Sequence, residues 1–156
     1  MTQTTDERAL IRELLRACRT IAVVGVSSHP FKDSHIVAHH LHREGYEVVP
    51  VNPNASAVLG RTAYPSLSAL PEDVAARVDL VVVFRPSREV PEIVEQALAR
   101  LPNVKGIWTQ KGIVHDGAAA RVRGAGLAVV QDRCIRTQHL GYKFSAQAGG
   151  SAEARA

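Results

Sequence analysis

Short, largely apolar runs alternate along this chain with stretches whose apolar residues recur at helical spacing. The runs lie at 21–26, 47–51, 79–84, 105–108 and 127–130. A strand covered on both faces keeps no polar side, so runs of this kind predict central strands of a parallel sheet. Between the runs, Leu10, Ile11, Leu14, Leu15 and Cys18 share one helical face. So do Ile36, Val37, His40 and Leu41, and likewise Val90, Ile93, Val94, Ala97 and Leu98. A helix of small residues is predicted over 115–124. Strand and helix alternate throughout, which predicts an α/β fold: a doubly wound parallel sheet of five strands, with right-handed crossovers and helices on both faces.

Punctuating residues refine this picture. Thr4-x-x-Glu7 has the form of a capping box at the first helix, and Ser34 and Ser87 stand where later helices would be capped. Gly45 ends the second helix, and Pro50 in 47–51 points to an edge position or to a strand about to stop. Asn52-Pro-Asn54 is a turn, and 59–71 is irregular apart from a short helical turn near 66–70. A last helical turn is expected within 132–144. Residues 146–156 are small and polar without an apolar period, so they are expected to be a disordered tail beyond one domain at 1–145.

Composition narrows the function classes. The 156 residues suffice for one domain with a substantial core, and 46% apolar with 22% charged residues is ordinary for a soluble protein. No apolar run approaches the ~20 residues of a membrane span, and 1–7 lacks the basic and apolar parts of a signal peptide. The cysteines, Cys18 and Cys134, form no C-x-x-C pair, which predicts free thiols in a reducing, cytoplasmic setting. Net charge is +4, but the basic residues are scattered and not interleaved with aromatics, so neither nucleic acid nor a membrane is an expected partner.

Ligands of doubly wound sheets sit outside the carboxyl ends of the strands. The loops there, at 26–34, 52–54, 85–88 and 109–112, hold the distinctive chemistry. Ile21-Ala-Val-Val-Gly-Val-Ser-Ser-His-Pro-Phe-Lys-Asp-Ser34 runs from a strand through one glycine and a small, polar, basic loop into a helix. That sequence presents backbone N–H groups and a helix N-terminus to a phosphate. It is not the usual dinucleotide fingerprint: counted from Gly25, the second and third glycines would fall at Ser27 and Pro30. The second strand ends Val49-Pro50-Val51-Asn52 with no carboxylate for a ribose diol, Glu47 lying at its other end. Walker and nucleophile-elbow motifs are absent.

The loops instead offer the cations Lys32 and Arg85, the hydroxyls of Ser27, Ser28 and Ser34, and the amides of Asn52 and Gln110. This set suits an ADP with an extra phosphate. A simpler account exists for each member: Gly25 a turn glycine, Lys32 and Arg85 surface cations, Asn52-Pro53 a turn. His35, His39 and His42 form a helical stripe, but Ile36 holds the place of a zincin glutamate, and a solvated face with no metal is expected.

Five segments carry a resemblance. Val-Gly-Val-Ser-Ser-His-Pro-Phe-Lys-Asp-Ser34, Pro50-Val-Asn-Pro53, Val83-Phe-Arg-Pro86, Ile107-Trp-Thr-Gln-Lys-Gly112 and Val130-Gln-Asp-Arg-Cys-Ile135 with His139 occur in the order found in small CoA-binding proteins. Over residues 8–142 the chain resembles the stand-alone CoA-binding domain of succinyl-CoA synthetase and ADP-forming acyl-CoA synthetases. The resemblance implies a Rossmann-like domain that binds coenzyme A or an acyl-CoA. It implies contacts from Gly25, Ser27, Lys32, Ser34, Asn52, Pro53, Phe84, Arg85 and Gln110, with Ser28 beside them in the first loop. The phosphohistidine loop of the larger synthetases has no counterpart, so ligase chemistry does not carry over and no catalytic residues are predicted. The expected partner is a small molecule, with a homo-oligomer or a protein partner left open. Two alternatives stand beside this reading. One is an NADP-linked redox sensor. The other is an acyl-CoA-handling enzyme using Cys134 with His139, where a bound CoA thiol would also allow a mixed disulfide.

Overall fold

The apolar runs become the strands of one parallel sheet. In the computed structural model residues 5–155 are described, with side chains from 6 to 146. The order of elements is α1 (Thr5–Ala17), β1 (Thr20–Val24), α2 (Asp33–Arg43), β2 (Glu47–Val51), β3 (Ala57–Val58), β4 (Arg61–Thr62), α3 (Glu72–Arg77), β5 (Leu80–Val83), α4 (Val90–Arg100), β6 (Gly106–Thr109), α5 (Asp116–Gly124), β7 (Ala128–Val130) and α6 (Ile135–Arg155). Short 3-10 turns lie at Leu67–Ala69 and Ser87–Glu89. The sheet runs β2-β1-β5-β6-β7, all parallel, with β2 at the edge, one of the two placements that Pro50 suggests. Chain direction across the sheet reverses beside β1, which makes the carboxyl end of β1 the topological switch point.

Both faces of the sheet are covered, so alternate residues of one strand feed two cores. Ala22, Val24, Val49, Val51, Val81, Val83 and Ile107 pack with Val94 and Ala97 of α4 and with Ala118 and Val122 of α5. Ile21, Val23, Val48, Leu80, Val82 and Trp108 pack with Leu14 and Leu15 of α1, Val37 and Leu41 of α2, and Ile135 of α6. Register aligns Val24 with Val51 and Val83, and Val83 with Thr109. Four strands therefore end level, and their loops emerge along one edge.

Several expectations change. Ser34 does not cap α2: Lys32 is its N-cap, with no side-chain cap bond. Ser87 does not cap α4; its hydroxyl accepts from the Val114 N–H at 3.0 Å, because the 3-10 turn places it across from that loop. Ile36 is exposed and Ala38 is buried in its stead, and α2 begins two residues earlier than Ser34 capping would require. Val26 is buried but lies past the end of β1, beyond the turn at Gly25. The β3–β4 hairpin straddles the start of the irregular stretch, and α3 follows the stretch; neither has a long enough periodic pattern to be legible. The expected last helical turn is the start of α6, which runs on to Arg155 through the stretch read as a tail; the side chains from 147 on lie outside the described residues. Thr4 of the capping box also lies outside them. Among the described residues no helix is long and apolar enough to cross a membrane.

Helices α2 and α6 meet through two imidazoles: His40 Nε2 lies 2.9 Å from His139 Nδ1, with Tyr46 edge-on to His139. Burial holds both below the ordinary 6.5. His139, Arg136 and Lys143 push His40 further down against Glu44, and Lys143 does the same to His139. The folded state thus takes up these protons at lower pH than the unfolded chain. Their contribution to stability is complete above 6.5 and is lost as pH falls through the depressed folded values. We expect the melting temperature to hold between about pH 8 and pH 7 and to drop below about pH 6.5, with a shallower drop in His139→Phe.

Candidate functional site

At the carboxyl edge the chain leaves β1 through Gly25, whose φ is +90°. Its N–H donates to the Val51 carbonyl at 2.9 Å, while the Phe84 N–H donates to the Val24 carbonyl at 2.8 Å. A Cβ on Gly25 would stand 2.8 Å from Arg85 Cδ and 3.0 Å from the Phe84 carbonyl oxygen. Only glycine permits both the backbone angle and the approach of the 84–85 loop.

The loop that follows is braced from three sides. The Ser27 N–H donates to Ser34 Oγ at 2.9 Å, and Ser27 Oγ accepts from the His29 N–H at 3.0 Å. His35 Nδ1 lies 2.9 Å from the Ser27 carbonyl, an acceptor, so that nitrogen carries the proton. Asn52 Nδ2 donates to the Val26 carbonyl at 2.8 Å, and Asn52 Oδ1 accepts from the Asn54 N–H at 2.7 Å. Such bracing fixes the loop before any ligand arrives. The His35 and Ile36 N–H groups both reach the Lys32 carbonyl, and no side chain caps α2. The N–H groups ahead of them point out of the helix start, where an anion is favoured. Asp33 in the same turn opposes an anion, so the exposed Lys32 has to offset it.

Beside this loop, at the switch point, a cleft of about 330 Å³ opens between β1, β2 and the start of α4. Val24, Gly25, Val51, Pro53 and Leu67 give it an apolar floor, and Arg85, Arg88, Glu89 and Glu92 give it charged walls. Its volume suits part of a nucleotide-sized ligand.

The residues singled out in sequence fall into three groups. Gly25, Pro53 and Arg85 line the cleft. Ser27, Ser34 and Asn52 brace the loop beside it, with Ser28 and Lys32 exposed on its surface. Phe84 and Gln110 are turned elsewhere. Phe84 is half-buried against the core of α1, α2 and α6. Gln110 is buried, its Oε1 accepting the Ile135 N–H at 3.0 Å at the head of α6. Cys134 stands beside it: burial raises its thiol, but hydrogen bonds from Thr137, Arg136 and Gln110 outweigh burial and hold it below the ordinary value. His139, on α6, turns its Nδ1 to His40. Cys18 is buried and its thiol is pushed up to about 12, mainly by desolvation. Sequence reading missed the cleft walls at Arg88, Glu89 and Glu92. The Arg85–Glu89 spacing of four was the available signal, being that of a helical ion pair.

These features define a Rossmann-like α/β domain with a glycine turn, a free helix start and an apolar cleft gathered at its switch point. The chain belongs to the CoA binding domain family, which matches residues 19–139. It is 36% identical over 132 residues to protein YneT of Bacillus subtilis, covering 85% of this chain and 93% of that one. A solved protein from Pyrococcus horikoshii superposes with a TM-score of 0.81 at 34% identity, covering 91% of this chain and 97% of that chain. An ADP-forming acetate–CoA ligase of Archaeoglobus fulgidus is 29% identical over 102 residues, 64% of this chain but 14% of the ligase. The family is thus related to a single module of the ADP-forming synthetases.

Proposed function

We propose that the chain binds coenzyme A or an acyl-CoA through its diphosphate and 3′-phosphate, and that it does so as a binding protein without ligase chemistry of its own. The observation that carries this reading is the Gly25 turn, set between an uncapped α2 and the cleft, in a member of the CoA binding domain family. Backbone N–H groups at the uncapped start of α2 donate to the diphosphate. Lys32 and Arg85 supply the cations that a ligand with an extra phosphate demands. The apolar floor of Val24, Val51 and Pro53 takes an uncharged part of the ligand.

Specificity against NAD follows from the far edge of β2. Asn52, not an acid, follows the strand, and Glu47 at its amino end is engaged by Thr20 Oγ1 at 2.9 Å and Arg77 Nε at 3.1 Å. A ribose diol finds no carboxylate acceptor at the carboxyl end of β2, where Asn52 to Asn54 follow the strand, whereas a phosphorylated ribose needs none there.

Calorimetric titration of single variants tests the reading. Lys32→Ala and Arg85→Ala are each expected to weaken CoA binding about tenfold, with affinity falling as salt rises. Both side chains are exposed, so melting temperatures should barely move. Affinity unchanged in both variants would refute the assignment of these cations to the phosphates.

A further inference from the structure

Arg85 is not free in the cleft. Its Nη2 donates to Glu89 Oε2 at 2.9 Å and its Nε to Glu89 Oε1 at 3.4 Å, so the carboxylate takes the fork from two sides. The Arg85 stem lies against Gly25, since Cδ is the atom that a Cβ there would strike. The stem therefore crosses the phosphate turn while the charged head is drawn along the cleft wall to Glu89. Glu89 and Glu92 both line that cleft, placing two carboxylates where an anionic ligand must pass. Both partners of the pair stay substantially open to water, at 46% and 38% exposure. An ion pair of this kind is weak enough to exchange for a phosphate.

We propose that Glu89 is a positioning residue that holds the Arg85 guanidinium away from the ligand's diphosphate and thereby lowers affinity; the inference rests on the CoA reading above. Binding exchanges one carboxylate partner of Arg85 for a phosphate, leaving Glu89 unpaired beside the ligand. Replacing Glu89 by a neutral residue of equal length removes both the competitor and the repulsion. The opposite role would be preorganisation, in which Glu89 aims Arg85 at the ligand and its loss weakens binding. The two roles differ in sign.

The experiment is a double-mutant cycle on the full chain, read by calorimetric titration with CoA. Glu89→Gln is expected to bind CoA about three- to tenfold more tightly than the unaltered chain. In an Arg85→Gln background the same change should give a distinctly smaller gain, that of the relieved repulsion alone, because the release of the guanidinium needs Arg85. Binding that is unchanged or weaker in Glu89→Gln overturns the proposal, as does an equal gain with and without Arg85. CoA bound by neither the unaltered chain nor Glu89→Gln would overturn the CoA reading itself and this proposal with it. CoA bound equally by both would overturn the proposal alone. Thermal melts of all four proteins separate loss of fold from loss of binding.

Discussion

Gly25→Val is expected to lower CoA affinity about a hundredfold and to destabilise the fold by about 1–3 kcal/mol. The residue sits at φ +90°, where a β-branched side chain is strained before it touches anything. Its Cβ would stand 3.0 Å from the Phe84 carbonyl oxygen, and that peptide cannot retreat freely because the Phe84 N–H is bonded to Val24. The Arg85 stem, 2.8 Å away, would have to leave the turn. The variant thus removes one charge-assisted contact and the aim of the neighbouring amides together. Gly45→Val supplies the control. Its φ is +97° but nothing lies within 4 Å of the Cβ position, so it should lose stability and keep CoA affinity. Calorimetry paired with chemical denaturation reads both effects. Equal affinity in Gly25→Val and the unaltered chain would place the phosphates elsewhere.

Trp108→Ala is the other large effect, a loss of about 3–5 kcal/mol of stability. Trp108 is fully buried in the core shared by α1, α2 and α6, and its indole N–H donates to the Arg133 carbonyl at 2.8 Å. Alanine leaves a void under the helices and gives up that bond to the segment leading into α6. A loss of this size is a large share of the ~5–15 kcal/mol by which domains are stable. Trp108→Phe keeps most of the packing and should cost less than half as much. The midpoint of urea unfolding measures both.

The strands were legible because a sheet covered on both faces writes unbroken apolar runs, as at 21–24 and 80–83. Their ends were less so. Val26 is apolar and buried like a strand residue, yet the positive φ of Gly25 has already turned the chain. Local chemistry misled at Ser34, which has the residue type of a cap but spends its hydroxyl on the Ser27 N–H when the loop folds back. Gln110 looked like a ligand-facing amide because its partner, the Ile135 N–H, lies 25 residues away. His40 and His139, 99 residues apart, gave no sign of forming a pair. The Arg85–Glu89 pair was within reach of a spacing rule, but the cleft it lines also needs Leu67 and Pro53, brought there only by the tertiary fold.

The central claim is recognition of a CoA-type ligand through its phosphates at the Gly25 turn. Calorimetric titration of the purified chain with CoA, 3′-dephospho-CoA, NAD and NADP under reducing conditions tests it most directly. The account predicts saturable CoA binding, weakened about tenfold without the 3′-phosphate, with NAD the weakest of the four. NADP bound more tightly than CoA, or no heat with CoA at all, would contradict it.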